Sequence, residues 1–165
     1  PNLHAMIALL RDGFHPQSEG GSIELAGDGT PIIDYVINDY LWDGVRRSWL
    51  SMAEIQFAAG AKAVRASHVD SPWFTSWEEA NAGINALEFR SNAFTAGSAH
   101  CMGGLTMGED QTRCLVDSNG KYHHLDNLYV FDGSVFPTSI GANPQLSIYG
   151  MACKQANKLL ETLKA

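Results

Sequence analysis

An α/β to α+β fold is expected for this chain, on three observations. Short apolar runs flank Asp28-Gly29 and the Ser118-Asn119-Gly120-Lys121 turn, the kind of sequence that closes β-hairpins. Two long stretches, Tyr40 to Ala59 and Leu146 to Leu163, place apolar residues at helical spacing. Finally, the apolar run Leu128 to Phe131 passes through a glycine- and proline-containing turn, Asp132 to Leu146, into the last helical stretch. The 165 residues amount to one domain's worth of chain, with enough apolar content for a real core.

Taken in order, Leu3 to Leu10 is apolar at nearly every position. It is read as a buried strand, although a short helix fits the same run. Ser22–Leu25 and Ile32–Val36, on either side of Asp28-Gly29, are expected to pair as a hairpin. Asn38 or Asp39 then caps a helix from about Tyr40 to Ala59. Its apolar stripe is Leu41, Val45, Trp49, Met52, Ile55 and Ala59, and Gly60 stops it. Lys62 to Ala66 suits a short strand. Ser76-Trp77-Glu78-Glu79 is a capping box, serine with glutamate three residues on, and predicts a helix toward Glu88.

From Phe94 to Met107, four small residues lead to His100, and Gly103-Gly104 follow. Small residues on both sides let a bulky flat object approach the backbone. Cys114–Asp117 and Leu128–Phe131 read as strands about the Asn-Gly turn. Asn143 is expected to cap the last helix, with Pro144 at its first position, where a missing N–H costs nothing. The amides from Gln145 onward then have no acceptor within the helix and form a small positive pole. Leu146, Tyr149, Cys153, Ala156, Leu160 and Leu163 make its stripe, and Ile148, Met151 and Ala152 make its first turns apolar all round. That half is expected to lie buried inside something larger.

Eleven basic and 18 acidic residues leave a formal charge of −7, which argues against nucleic acid and anionic membrane surfaces. No apolar run approaches the length of a membrane span. Cys101, Cys114 and Cys153 are odd in number, widely spaced and without a C-x-x-C pair, so they read as small buried hydrophobes. His123-His124 and His100-Cys101 are sequence neighbours; in a strand such neighbours point to opposite faces, so no metal site is expected.

Ser98-Ala99-His100-Cys101-Met102-Gly103-Gly104 resembles the segment of the glucose–methanol–choline (GMC) flavin oxidoreductases in which a histidine precedes a glycine pair. Asn127 to Pro137 is similar to that family's strand ending in Asp-Gly-Ser, and Gly141-Ala142-Asn143-Pro144 to the members with Asn-Pro in place of a second histidine. The likeness spans roughly residues 95 to 160 and is nearest the cholesterol-oxidase-like and long-chain-alcohol-oxidase-like members. It implies a substrate-domain sheet with packed helices, residues 1–115, delivering His100. Residues 116–165 would return to an FAD domain and complete it as a strand, turn and helix. No G-x-G-x-x-G fingerprint occurs in the chain. The resemblance therefore implies a C-terminal portion whose FAD-binding half is elsewhere, in cis or in another chain.

The same resemblance implies oxidation of an apolar or bulky alcohol by hydride transfer to FAD. His100 would be the base, since imidazole titrates near neutrality, and Asn143 would orient the hydroxyl. Asp132 and Gly133 would meet the ribityl–pyrophosphate part of FAD. The amides beyond Pro144, at Gln145 and Leu146, would face the flavin edge where charge gathers on reduction. Each residue also has a plainer reading: a structural histidine, a helix cap, an acceptor for turn N–H groups. The rival from another class is a non-catalytic lipid- or protein-binding domain that keeps the scaffold. A hydrolase using His100 lacks the G-x-S-x-G elbow.

Overall fold

A computed structural model describes residues 2–164. Among these the elements are β1 (Gly21–Leu25), β2 (Pro31–Tyr35), α1 (Asp39–Ala58), α2 (Trp77–Ala86), one 3-10 turn (Gly133–Val135) and α3 (Gln145–Lys164). The chain packs as two units. The first holds the residues up to Leu10 and His15–Gly97; the second holds Arg11–Phe14 and the residues from Ser98 onward. This division falls at Gly97/Ser98, upstream of the 115/116 boundary between the two functional portions suggested by sequence.

In the first unit, Asp28-Gly29 closes the expected hairpin. The Thr30 N–H donates to Asp28 Oδ1 at 2.9 Å, and Gly29 takes φ 83°, a left-handed conformation that glycine adopts without penalty. β1 and β2 pair antiparallel with Ile23 opposite Ile33, and every residue of both strands is exposed. Asn38 caps α1, its Oδ1 accepting the Leu41 N–H at 3.2 Å. At the other end the Gly60 N–H reaches the Phe57 carbonyl and the Ala61 N–H the Gln56 carbonyl, both at 2.9 Å. With Gly60 at φ 90°, this is a Schellman stop.

The face that α1 buries is Val45, Trp49 and Ala53, packed with Ala80 and Ile84 of α2 and with Val64, Ala66 and Phe74. Ile55 and Ala59, expected on this stripe, are exposed. The buried row runs i, i+4, i+8 and drifts off a line drawn through them. Trp49 lies tilted against Phe89 and edge-on to Phe94 and His68, with centroids 5.5, 5.7 and 5.9 Å away. Ser76 opens α2 as expected, accepting the Glu79 N–H at 3.1 Å. The return contact differs from a standard capping box: Glu79 Oε2 accepts from the N–H and hydroxyl of Thr75, at 2.8 and 2.9 Å. His68 is buried. Its Nδ1 accepts the Asp70 N–H at 3.1 Å, so Nε2 carries the hydrogen that meets the Glu88 carbonyl at 3.0 Å.

Several expected strands do not form. Leu3 to Leu10 has no regular structure and is largely exposed, with Ile7 84 % accessible, because no neighbouring strand among the described residues offers it backbone partners. Lys62–Ala66 contributes a single bridge, Val64 to Phe74. Cys114–Asp117 and Leu128–Phe131 shrink to the isolated bridges Met107–Val116, Val116–Tyr122 and Lys121–Tyr129. The sheet expected of residues 1–115 thus amounts, among the described residues, to one two-stranded hairpin. The protein is a small mixed α/β structure.

In the second unit, the Gly103, Leu105 and Met107 N–H groups donate to the carbonyls of Gly133, Ser134 and Val135 at 3.3, 3.1 and 3.0 Å. This ladder joins the two unusual segments of the sequence. Gly133 is buried there, and a Cβ on it would stand 2.8 Å from the Cys101 carbonyl oxygen and 3.1 Å from Ile148 Cδ1. The Asn119-Gly120 turn forms as expected, with Gly120 at φ 79° and Asp117 Oδ1 accepting the Asn119 and Lys121 N–H groups.

Only Gln155 of α3 is buried, and Leu146 is 82 % accessible. The apolar half expected to be covered is only partly so in this chain: Ile148, Met151 and Ala152 are half-buried, and Leu146 and Tyr149 are exposed. Cys101 and Cys153 are correspondingly exposed and Cys114 half-buried, all three as free thiols, which corrects the reading of them as buried hydrophobes. No helix of the described residues is long and apolar enough to cross a membrane.

Two tests follow from this packing. Hydrogen bonds from the Thr75 N–H and hydroxyl hold the Glu79 carboxyl below its ordinary value. That stabilisation is complete above the unfolded glutamate value, about 4.3, and is lost as pH falls through the lower folded value. Glu79→Gln should therefore flatten the fall in melting temperature between about pH 5 and pH 3; an unchanged acid limb refutes the coupling. Gly133→Ala sets a methyl against a backbone carbonyl and should destabilise the chain by about 1–3 kcal/mol in denaturant unfolding. An unaltered midpoint would mean that the Cys101 segment yields without cost.

Candidate functional site

The second unit arranges His100 from its own backbone upward. Ser98 Oγ accepts the His100 N–H at 3.3 Å, and the Cys101 thiol points to the Ser98 carbonyl at 3.7 Å, so residues 98–101 form a local turn. The Gly103–Met107 ladder then fixes this turn against the Asp132–Val135 segment. His100 is half-buried, and its ring makes no hydrogen bond among the described residues. Both ring nitrogens are therefore open to a ligand.

α3 begins with the Ile148 N–H donating to the Pro144 carbonyl at 2.9 Å. Pro144, not Asn143, thus holds the cap position, and Gln145 is the first helical residue. The expected start is shifted by one, because the first carbonyl able to accept an i+4 bond belongs to the proline. Freed from capping, the exposed Asn143 amide makes no hydrogen bond among the described residues. The N–H groups of Gln145, Leu146 and Ser147 precede the first intrahelical bond and supply the positive end of the helix.

These parts meet in one open hollow of about 320 Å³, lined by Ala99, His100, Asn143, Pro144, Gln145, Ile148 and Tyr149. Four residues singled out in the sequence are brought together there: His100, Asn143, Pro144 and Gln145. Ile148 and Tyr149 were not anticipated, although they stand one helical turn beyond Pro144 and Gln145. The Gln145 Nε2 amide donates to the Tyr149 hydroxyl across that turn.

Three other singled-out residues do not line the hollow. Asp132 is exposed and accepts from the Ser134 N–H at 2.8 Å and from the Ser134 hydroxyl, as the N-cap of the 3-10 turn. Gly133 has its open face occupied by Cys101 and Ile148. Leu146 points into solvent. His123 is held by its Nε2 at 2.9 Å from the Gly108 carbonyl, and no three His, Cys, Asp or Glu side chains group closely enough for a metal among the described residues. Glu109 and Asp110 are held below the ordinary carboxyl range by hydrogen bonds from Ser118 and Thr112. They close a loop and do not line the hollow.

The family model for the C-terminal GMC oxidoreductase domain matches residues 16–152. The chain is 37 % identical over 84 residues to a 6'''-hydroxyparomomycin C oxidase of Streptomyces lividus, covering 51 % of this chain and 15 % of that protein. It is 29 % identical over 149 residues to a GMC-type oxidoreductase of Sinorhizobium fredii, covering 89 % of this chain and 29 % of that one. A long-chain-alcohol oxidase of Arabidopsis thaliana is 25 % identical over 161 residues, covering 90 % of this chain and 20 % of the oxidase. The chain thus spans less than a third of each of these relatives. With residues 16–152 matched, and His100 and Asn143 both inside that span, the chain belongs to the GMC oxidoreductase family and carries its C-terminal region.

Proposed function

We propose that this chain is the C-terminal portion of a flavin-dependent alcohol oxidoreductase, with His100 as the base. One observation carries the reading. The His100 ring and the Asn143 amide, neither engaged by another group among the described residues, line the same hollow as the start of α3. A ring nitrogen of His100 takes the hydroxyl proton of the alcohol. The Asn143 amide holds the same hydroxyl and keeps its carbon oriented. FAD, when bound, supplies the acceptor for the hydride, and the alcohol becomes a carbonyl.

The residues present fit that cofactor. Amides without an intrahelical partner at Gln145–Ser147 suit the electron-rich edge of a flavin ring, where negative charge gathers on reduction. The outer oxygen of exposed Asp132 suits a ribityl hydroxyl. Gly133, next to it and without a side chain, lets the same ribityl–pyrophosphate part come close to the backbone. The substrate is an apolar or bulky alcohol, in keeping with the cholesterol oxidase of Acinetobacter baumannii and the long-chain-alcohol oxidases among the relatives. The dinucleotide-binding half is supplied in cis or by another chain, since no G-x-G-x-x-G stands in these residues.

His100→Ala in the complete enzyme should lower alcohol turnover by at least about a hundredfold while flavin stays bound. Near-normal turnover removes His100 from the role of base. Asn143→Ala should slow flavin reduction yet shift stability by less than about 0.5 kcal/mol, because Asn143 is not the cap. A large loss of stability with reduction unaffected would return it to a structural role. The chain by itself should hold FAD weaker by several orders of magnitude than the complete enzyme, each 1.4 kcal/mol of lost contact being about tenfold. It should also show no alcohol-dependent bleaching. A yellow, alcohol-reducible complex of this chain alone would overturn its reading as a partial enzyme.

A further inference from the structure

The first unit contains an open cavity of about 480 Å³, built only from its own residues: the end of β2, the first turn of α1 and the segment 91–96. Its lining combines three kinds of group. The rings of Tyr35, Trp42 and Phe94 contribute aromatic surface, and Ser91 and Asn92 contribute neutral polar groups. Asp34 is the one charged residue in the lining, and its carboxylate forms no ion pair or hydrogen bond among the described residues. The volume lies within the range of small-molecule sites, about 300–1,000 Å³.

The backbone around the cavity is held in an uncommon conformation. Asn92 has φ 65°, one of two positive values among non-glycine residues described. Such a residue persists where its surroundings fix it. Here the Ala93 N–H returns to the Arg90 carbonyl at 3.2 Å, and the Ala93 carbonyl accepts the Val69 N–H at 2.8 Å. Trp42 is fixed as well, edge-on to Phe89 and Phe94 at centroid distances of 5.8 and 5.4 Å. The Trp42 and Asn92 sides of the cavity are thus set before any ligand arrives.

We propose that this cavity binds a small organic ammonium. An alkylammonium is attracted by an unpaired carboxylate and by aromatic faces, and its hydrocarbon part gains from leaving water. An anion would be repelled by Asp34, whereas a neutral alcohol of the same shape would gain only the apolar contacts. The site requires no flavin and does not depend on the role given to His100.

The test compares cyclohexylammonium with cyclohexanol, which is similar in shape but uncharged, by calorimetry on the full chain at pH 7. The ammonium should bind roughly tenfold tighter, with the advantage shrinking in high salt. Asp34→Asn, at an exposed strand position, should remove the preference while leaving the melting temperature near that of the parent. Following the Trp42 indole resonance locates the binding even if calorimetric heats are small. Equal affinity for the two probes, no binding of either, or a preference that survives Asp34→Asn would each overturn the proposal.

Discussion

The ladder between Gly103–Met107 and Gly133–Val135 is the constraint on which the second unit depends. Its three hydrogen bonds bring a loop carrying His100 to a loop that leads into α3, although the segments are far apart in sequence. Backbone bonding alone would permit the approach, but side-chain bulk at the crossing would prevent it. Gly133 resolves this by presenting no Cβ to the Cys101 carbonyl and to Ile148. The hollow at His100 thus lies beside a backbone crossing that a glycine makes possible.

The first unit is organised differently, by aromatic packing on a capped helix. Asn38 and the Schellman stop set the length of α1, and Trp49 gathers Phe89, Phe94 and His68 onto it. Ion pairs contribute little to this arrangement. Arg47 with Asp43 and Arg90 with Asp70 join solvent-exposed groups, whose pairing is weak in water. The two units thus draw order from different sources, one from burial of rings and one from a backbone ladder.

Local signals were legible in the sequence where the chain itself supplies the partner. Asp28-Gly29, Asn38, Ser76 with Glu79, and Asn119-Gly120 each act within a few residues, and each forms its turn or cap. The strands failed for the opposite reason. Leu3–Leu10 and Leu128–Phe131 have strand-like composition, but a strand exists only through a neighbour; among the described residues the first finds none and the second pairs at a single bridge, Lys121–Tyr129. At the site, His100 and Asn143 stood out through their glycine and proline surroundings. Tyr149 did not, because its place in the hollow comes from helical spacing relative to Gln145. The roles foreseen for Gly133 and for Asn143 as a cap depended on which atoms lie across the fold, information that residue type does not carry.

His68 shows how a buried polar residue can become irreplaceable without doing chemistry. Its ring receives from one backbone group and gives to another, eighteen residues apart, at 3.1 and 3.0 Å. A donor and an acceptor on opposite edges of one rigid plane are what the position demands. Asparagine and glutamine carry both functions, but on a shorter or more flexible stem, and no aliphatic side chain carries either. The Asp70 amide and Glu88 carbonyl would be left facing each other across a gap. Sequence drift at this position is therefore restricted by hydrogen-bond geometry, and an invariant histidine among relatives here would record a spacer between two loops.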